Sequence, residues 1–212
     1  MEYHKIKTVW ERDPENNYKT LLEYQWSLPE FEYLAACPWI FTEKVDGTNI
    51  RVMWDGNGVR FGSKTERGQI PAKLFECLAR TFTVPRLIDV FSDTTDVILY
   101  GEGFGAGIQK GGGNYCSNQE FVLFDILIGR WWLQRHDVEG IAEALNVPIV
   151  PIIGEGDLNN MVDMVREGFN SSWGDFAAEG IVARPKIELK TRSGHRIITK
   201  LKGKDFSGNK PV

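Results

Sequence analysis

Lys44 is the residue whose setting first points to chemistry. It lies in Phe41-Thr42-Glu43-Lys44-Val45-Asp46-Gly47-Thr48-Asn49-Ile50, where Glu43, Asp46 and Asn49 crowd polar groups around one strand end. A free lysine has a pKa of about 10.4 and is almost fully protonated near neutrality, so a nucleophilic lysine needs cationic neighbours. Lys200-Leu201-Lys202 offers them. Period two puts Lys200 and Lys202 on one face of a strand, where two like charges repel unless an anion such as a phosphate chain lies between them. Lys204 extends the same patch. Three acids complete the set: Glu102 after an apolar run, Asp125 within Val122-Leu123-Phe124-Asp125-Ile126, and Glu179 before Gly180-Ile181-Val182. A carboxylate in such a setting needs a metal, a ribose hydroxyl or a lysine, because burying a bare charge is costly. Each feature taken alone has an ordinary reading too. Lys44 could be a solvated surface charge, the lysine pair could guard an edge strand, and each acid could be a plain salt bridge.

Composition removes other classes. Lys plus Arg is 25 against 29 for Asp plus Glu, a net charge of −4, which excludes a simple polybasic nucleic-acid coat but permits a local basic patch. The three histidines, His4, His136 and His195, are too sparse for a histidine-built metal centre or a Ser-His-Asp triad. Cys37, Cys77 and Cys116 form no CxxC pair and read as buried free thiols in a reducing compartment. No apolar run approaches the ~18 residues of a membrane span, and no signal peptide is expected from the N-terminus.

The elements that must position these residues can be read from periodicity. Strands are expected at Ile50–Trp54, Val59–Gly62, Val97–Tyr100, Phe121–Ile128, Ile181–Ala183 and Ile197–Leu201. Asp55-Gly56-Asn57-Gly58 should join the first two as a hairpin, and Ser193-Gly194 is a second turn candidate. Helical stripes run through Leu74, Leu78 and Phe82; through Ile141 and Leu145, with Asp137 as a cap; and from Leu158 to Phe169, capped by Asp157. Glu11 to Asn17 reads as a loop. The glycines from Gly101 to Gly113 fit neither a dinucleotide fingerprint nor a phosphate loop, and they read as a pliant loop beside a ligand. Strands outnumber helices, so the fold expected is α+β, built on antiparallel sheet, with no linker dividing the chain.

Read together, these segments resemble the covalent nucleotidyltransferase superfamily, and within it the RNA ligase 2-like, ATP-dependent RNA ligases. Lys44-Val45-Asp46-Gly47 matches the nucleophile motif, with Thr48-Asn49 in the RNA ligase 2-like form. Phe61-Gly62-Ser63-Lys64, Tyr100-Gly101-Glu102 with Phe121 to Asp125, Glu179-Gly180-Ile181-Val182 and Lys200-Leu201-Lys202 follow in the family's order. The resemblance implies a single nucleotidyltransferase (ATP-grasp-like) domain over residues 1–212, with antiparallel sheets flanking a nucleotide cleft. The chain ends shortly after Lys202, which implies neither a C-terminal OB-fold nor a helical domain, and so a role for the N-terminal segment, a loop, a protein partner or an oligomer in gripping substrate.

The resemblance also implies roles. Lys44 attacks ATP to form lysyl-AMP, AMP passes to an RNA 5′-phosphate, and a 3′-hydroxyl then displaces AMP. Lys200 and Lys202 contact the α-phosphate, and Glu179 holds Mg²⁺ or Mn²⁺. Asp46 shapes the nucleophile turn or supports the metal. Glu102 meets the ribose, Phe124 stacks on adenine, Glu43 belongs to the nucleotide site, and Asn49 organises sealing. Where relatives place an arginine in the second motif, this chain offers Lys64, with Arg60 and Arg67 nearby. A DNA ligase, a capping-type guanylyltransferase or a non-catalytic nucleotide- or RNA-binding module are the alternatives the sequence leaves open.

Overall fold

The computed structural model describes residues 1–65 and 68–206. In chain order the elements are β1 (Lys7–Thr8), β2 (Trp10–Arg12), β3 (Leu21–Trp26), α1 (Pro29–Tyr33), β4 (Trp39–Glu43), β5 (Thr48–Trp54), β6 (Val59–Ser63), α2 (Ala72–Thr81), α3 (Val84–Phe91), β7 (Val97–Gly105), β8 (Gln119–Ile128), β9 (Trp131–Trp132), α4 (Arg135–Leu145), β10 (Ile152–Gly156), α5 (Leu158–Glu167), β11 (Gly180–Pro185) and β12 (Thr199–Lys202). They group into two compact units, Met1–His4 with Asp46–Val150, and Lys5–Val45 with Pro151–Val212. The chain passes from one to the other between Val45 and Asp46, inside the nucleophile motif.

The unit that begins at Asp46 carries a five-stranded antiparallel sheet in the order β6-β5-β7-β8-β9. Alternation along β5 sends Ile50, Val52 and Trp54 into a core shared with Leu74 and Leu78 of α2, Leu87 of α3 and Val138 of α4. Asp55 Oδ1 accepts from the backbone N–H groups of Asn57 and Gly58, which closes the β5–β6 hairpin. Those two bonds hold the Asp55 carboxyl below its usual range.

The α+β, antiparallel expectation holds, with three corrections here. β7 runs on to Gly105, so Gly101 and Gly103 lie within a strand and not in a loop. A Cβ at Gly101 would sit 2.2 Å from the Phe121 ring, and one at Gly103 2.3 Å from Leu74 Cδ2. Close packing is the reason for these glycines, and the turn begins only after Gly105. Asp137 lies in the first turn of α4, whose N-cap is Gln134. The thiols of Cys37, Cys77 and Cys116 are free but half-buried.

The other unit carries the sheet β1-β12-β11-β4-β10 and the hairpin β2–β3. Its pairs are antiparallel except β1 with β12, which run parallel. Leu158, Met161, Val162 and Val165 of α5 pack against Phe41, Ile181, Ala183 and Leu201. Asp157 caps α5 through a reciprocal capping box with Asn160. β1 also bears on one alternative: it pairs with β12 at Thr199 and Lys200, opposite the β11 side, so Lys200 is not an edge lysine. Of the loop expected from Glu11 to Asn17, Glu11 and Arg12 belong to β2, and residues 13–17 form the turn that leads to β3.

Candidate functional site

Three strands of the second unit end side by side. β11 opposes β4 with Ile181 facing Glu43, and opposes β12 with Gly180 facing Lys202. The Lys44 N–H donates to the Gly180 carbonyl at 2.9 Å, which extends the pairing to the lysine itself. Gly180 is required here, because a Cβ would stand 2.1 Å from the Leu201 carbonyl oxygen.

Glu179, just before β11, joins the two lysines. Its Oε2 accepts from Lys44 Nζ at 2.6 Å, and its Oε1 lies 2.5 Å from Lys202 Nζ. All three side chains are less than one fifth exposed. Lys200 shares the outer face of β12 with Lys202, while Thr199 and Leu201 point into the core. Glu43 is buried, with Oε1 accepting from Ser171 Oγ at 2.5 Å and Oε2 from the Ser172 N–H at 2.8 Å. Its carboxylate is therefore engaged within the unit, bracing the residue next to Lys44.

The first unit holds the remaining residues. The Asp46 N–H donates to Tyr115 Oη at 3.2 Å, and the Gly47 carbonyl accepts from Gln109 Nε2 at 2.9 Å. A Cβ on Gly47 would fall 2.1 Å from the Gly103 carbonyl oxygen, which accounts for the glycine of the motif. Asn49 and Glu102 face each other in the β5–β7 register. Asn49 Oδ1 is buried and meets no hydrogen-bond donor among the described residues, an arrangement that costs stability unless a ligand completes it. On the same face, the buried Arg51 donates Nε to the Ser63 carbonyl at 2.8 Å and passes over Gly62.

Lys64 is exposed just beyond β6, and Arg60 is exposed on it. Arg67 lies outside the described residues. Phe124 is half-buried in an aromatic group with Tyr100 and Trp132, its ring 5.1 Å from that of Tyr3. Asp125, fully buried, accepts from Tyr3 Oη at 2.6 Å. Tyr100 donates to the Met1 carbonyl at 3.0 Å, and burial pushes its phenol up to about 12.

Lys44, Glu43, Glu179, Lys200 and Lys202 thus belong to one unit, and Asp46, Asn49, Lys64, Glu102 and Phe124 to the other. Sequence reasoning gave no role to Arg51 or Tyr3. Tyr3 carries no local signal, because its partner is 122 positions away. Among the described residues no group of three His, Cys, Asp or Glu could hold a metal. The oxygen donor of Glu179 suits a hard divalent ion that keeps most of its shell as water and phosphate. The donor set therefore fits an ion that arrives with a polyphosphate, and does not fit a resident protein-caged metal.

The α+β fold with this lysine–glutamate–lysine bridge is the setting for the comparisons with known proteins. The sequence model of the family described as RNA ligase matches residues 37–202, and the chain belongs to that family. Its fold is similar to structures of Naegleria gruberi RNA ligase. A variant solved with ATP and Mn superposes with a TM-score of 0.71 at 17% identity, covering 99% of this chain and 58% of that one. The same ligase with PPi gives 0.68 at 18%, covering 98% and 59%. Another variant, with AMP and Mn, gives 0.67 at 17%, covering 99% and 60%. The chain thus spans somewhat under two thirds of the length of these proteins. Comparison with curated proteins found no match. Among the described residues, no helix is long and apolar enough to cross a membrane.

Proposed function

We propose that this chain is an ATP-dependent RNA ligase that joins 5′-phosphate and 3′-hydroxyl ends through lysyl-AMP and RNA-adenylate. The observation that carries the reading is Glu179 bridging Lys44 and Lys202. A carboxylate between two lysines marks a place where negative charge is wanted, and a triphosphate brings more of it. Ligands in the N. gruberi structures, namely ATP with Mn, AMP with Mn, and PPi, support the same substrate class.

In the first step Lys44 Nζ, having given up a proton, attacks the α-phosphorus. A nitrogen–phosphorus bond forms, the bond to the β-phosphate oxygen breaks, and pyrophosphate leaves. Lys200 and Lys202 stabilise the charge gathering on the α-phosphate oxygens. Glu179 would hold Mg²⁺ or Mn²⁺, which would supply charge neutralisation to the phosphates, and Asp46 would shape the nucleophile turn or support the metal. Glu43 keeps Lys44 in register through its bonds to Ser171 and Ser172. Glu102 takes the ribose, Phe124 the adenine face, and Lys64 the nucleotide beyond β6.

In the second step an oxygen of the RNA 5′-phosphate attacks the lysyl-AMP phosphorus, and Lys44 is released. In the third the 3′-hydroxyl attacks the RNA 5′-phosphorus, a phosphodiester forms and AMP departs. Asn49, with its unsatisfied Oδ1, orients this last step.

The test is to incubate the protein with α-labelled ATP and Mg²⁺, denature it, and look for bound label. Label should appear with ATP and not GTP, vanish in Lys44→Ala, and pass to 5′-phosphorylated RNA on a chase. An undiminished adduct in Lys44→Ala removes Lys44 as nucleophile. Labelling with GTP, or sealing confined to DNA ends, points to another member of the superfamily.

A further inference from the structure

The second unit also carries a groove of about 840 Å³ of which the catalytic reading uses one end. It starts at Lys200 and Lys202 and continues along the N-terminal segment, past Lys5, Lys7 and Lys19, with Lys204 on the β12 side. Seven of its lining residues are basic and two are acidic, in a chain whose net charge is −4. The excess is built by the fold. β1 runs parallel beside β12, with Lys7 opposite Thr199 and Thr8 opposite Lys200, which sets the N-terminal lysines next to the catalytic pair.

Among the described residues no carboxylate pairs with the outer lysines, Lys5, Lys7, Lys19 and Lys204. Arg12 serves a different purpose. It donates Nη2 to the buried Asp205 at 2.8 Å and Nη1 to the Tyr18 carbonyl at 3.2 Å, bracing the β2–β3 turn. That turn leaves the Tyr18 ring 63% exposed on the groove wall.

We infer that this groove binds the sugar–phosphate backbone of the RNA strand presented to the lysine centre, with Tyr18 as a platform for one base. A row of separated lysines, extended by Lys5, Lys7, Lys19 and Lys204 beside an open aromatic ring, is the pattern that holds single-stranded nucleic acid without reading its sequence. The triphosphate tail of one nucleotide is too short to use lysines on β1, the β2–β3 turn and the segment after β12 together. The choice of RNA as the polyanion rests on the ligase reading. The groove itself rests on the geometry.

The experiment measures binding of a fluorescent 5′-phosphorylated single-stranded RNA to the full chain as a function of salt. Removing three phosphate contacts should make the plot of log K against log salt shallower by about 2. The variant carrying Lys5→Ala, Lys7→Ala and Lys19→Ala should show that change. The corresponding triple arginine variant should keep the wild-type slope, which separates charge from folding. Tyr18→Ala should weaken binding about fivefold or more with the slope unchanged. An unchanged slope in the alanine variant overturns the inference. So does a loss of ATP affinity in that variant with RNA binding intact, because the groove would then hold the nucleotide's phosphates. Labelling of wild-type protein by ATP is scored separately. A slope change without any labelling supports the groove and removes the ligase reading.

Discussion

Replacing Glu179 by Gln keeps the shape of the side chain and removes its charge. In the wild type one carboxylate neutralises two ammonium groups, at 2.6 and 2.5 Å. At an effective dielectric constant of about 20, a pair of unit charges about 4 Å apart gains roughly 4 kcal/mol, most of it offset by desolvation. The three side chains are 12 to 19% exposed, between the surface and the fully buried case. A net loss of about 2 kcal/mol follows, scaled down from the 3–5 kcal/mol expected for breaking a fully buried pair. In a chain of this size that lowers the melting temperature by roughly 4–8 °C. The variant leaves Lys44 and Lys202 facing each other without an anion, so pyrophosphate should restore more stability to it than to the wild type. Lys44→Met should cost less, because Glu179 keeps Lys202. Thermal melts with and without pyrophosphate read both effects. A Glu179→Gln protein that melts with the wild type and ignores pyrophosphate would falsify the bridge as described.

Gly47→Ala should destabilise by about 2 kcal/mol or more in urea unfolding, since the new Cβ meets the Gly103 backbone and no flexible side chain can yield. Asp157→Ala should cost about 1 kcal/mol by removing the α5 cap, with the loss reduced in Asp157→Ser. Tyr100, raised from 10.0 to about 12, favours the neutral phenol in the folded state, so its contribution is complete below pH 10 and disappears as pH rises towards 12. Ultraviolet titration should show a late tyrosine that Tyr100→Phe removes. Asp55, whose carboxyl is lowered, should stabilise its hairpin above the ordinary carboxylate range and cease to do so as pH falls through its midpoint. Chemical-shift titration of Asn57 and Gly58 checks this.

Local rules explain what could be read in advance. The Asp55–Gly58 turn, the Leu74/Leu78/Phe82 stripe and the Asp157-capped α5 follow from chemistry within a few residues, and the structure has all three. The shared face of Lys200 and Lys202 followed from strand period alone. Features set by distant partners were not legible. Two residues of β1 carry no pattern, and only their parallel pairing with β12 makes them a strand. α1 and α3 are short and each has a proline at its start, so propensity says little about them. The strand character of Gly101 and Gly103 depends on Phe121 and Leu74. In the N-terminal segment Lys5, Lys7, Arg12 and Lys19 alternate with Glu11, Asp13 and Glu15, which hides the basic face until the chain folds. For the site, the sequence named Lys44, Glu179 and Lys202 as separate candidates. Their meeting at one carboxylate is a product of register.

The pairing of β1 with β12 has a practical side. Those two residues, far from Lys202 in the chain, pair with Thr199 and Lys200 along the outer backbone edge of the strand that carries Lys200 and Lys202. Trimming the N-terminus to the family-matched segment at residue 37 would therefore do more than shorten the protein. It would uncover a strand edge with unpaired amides and carbonyls, the kind of edge along which copies of a chain adhere. A minimal fragment designed from motif positions alone should be prone to self-association.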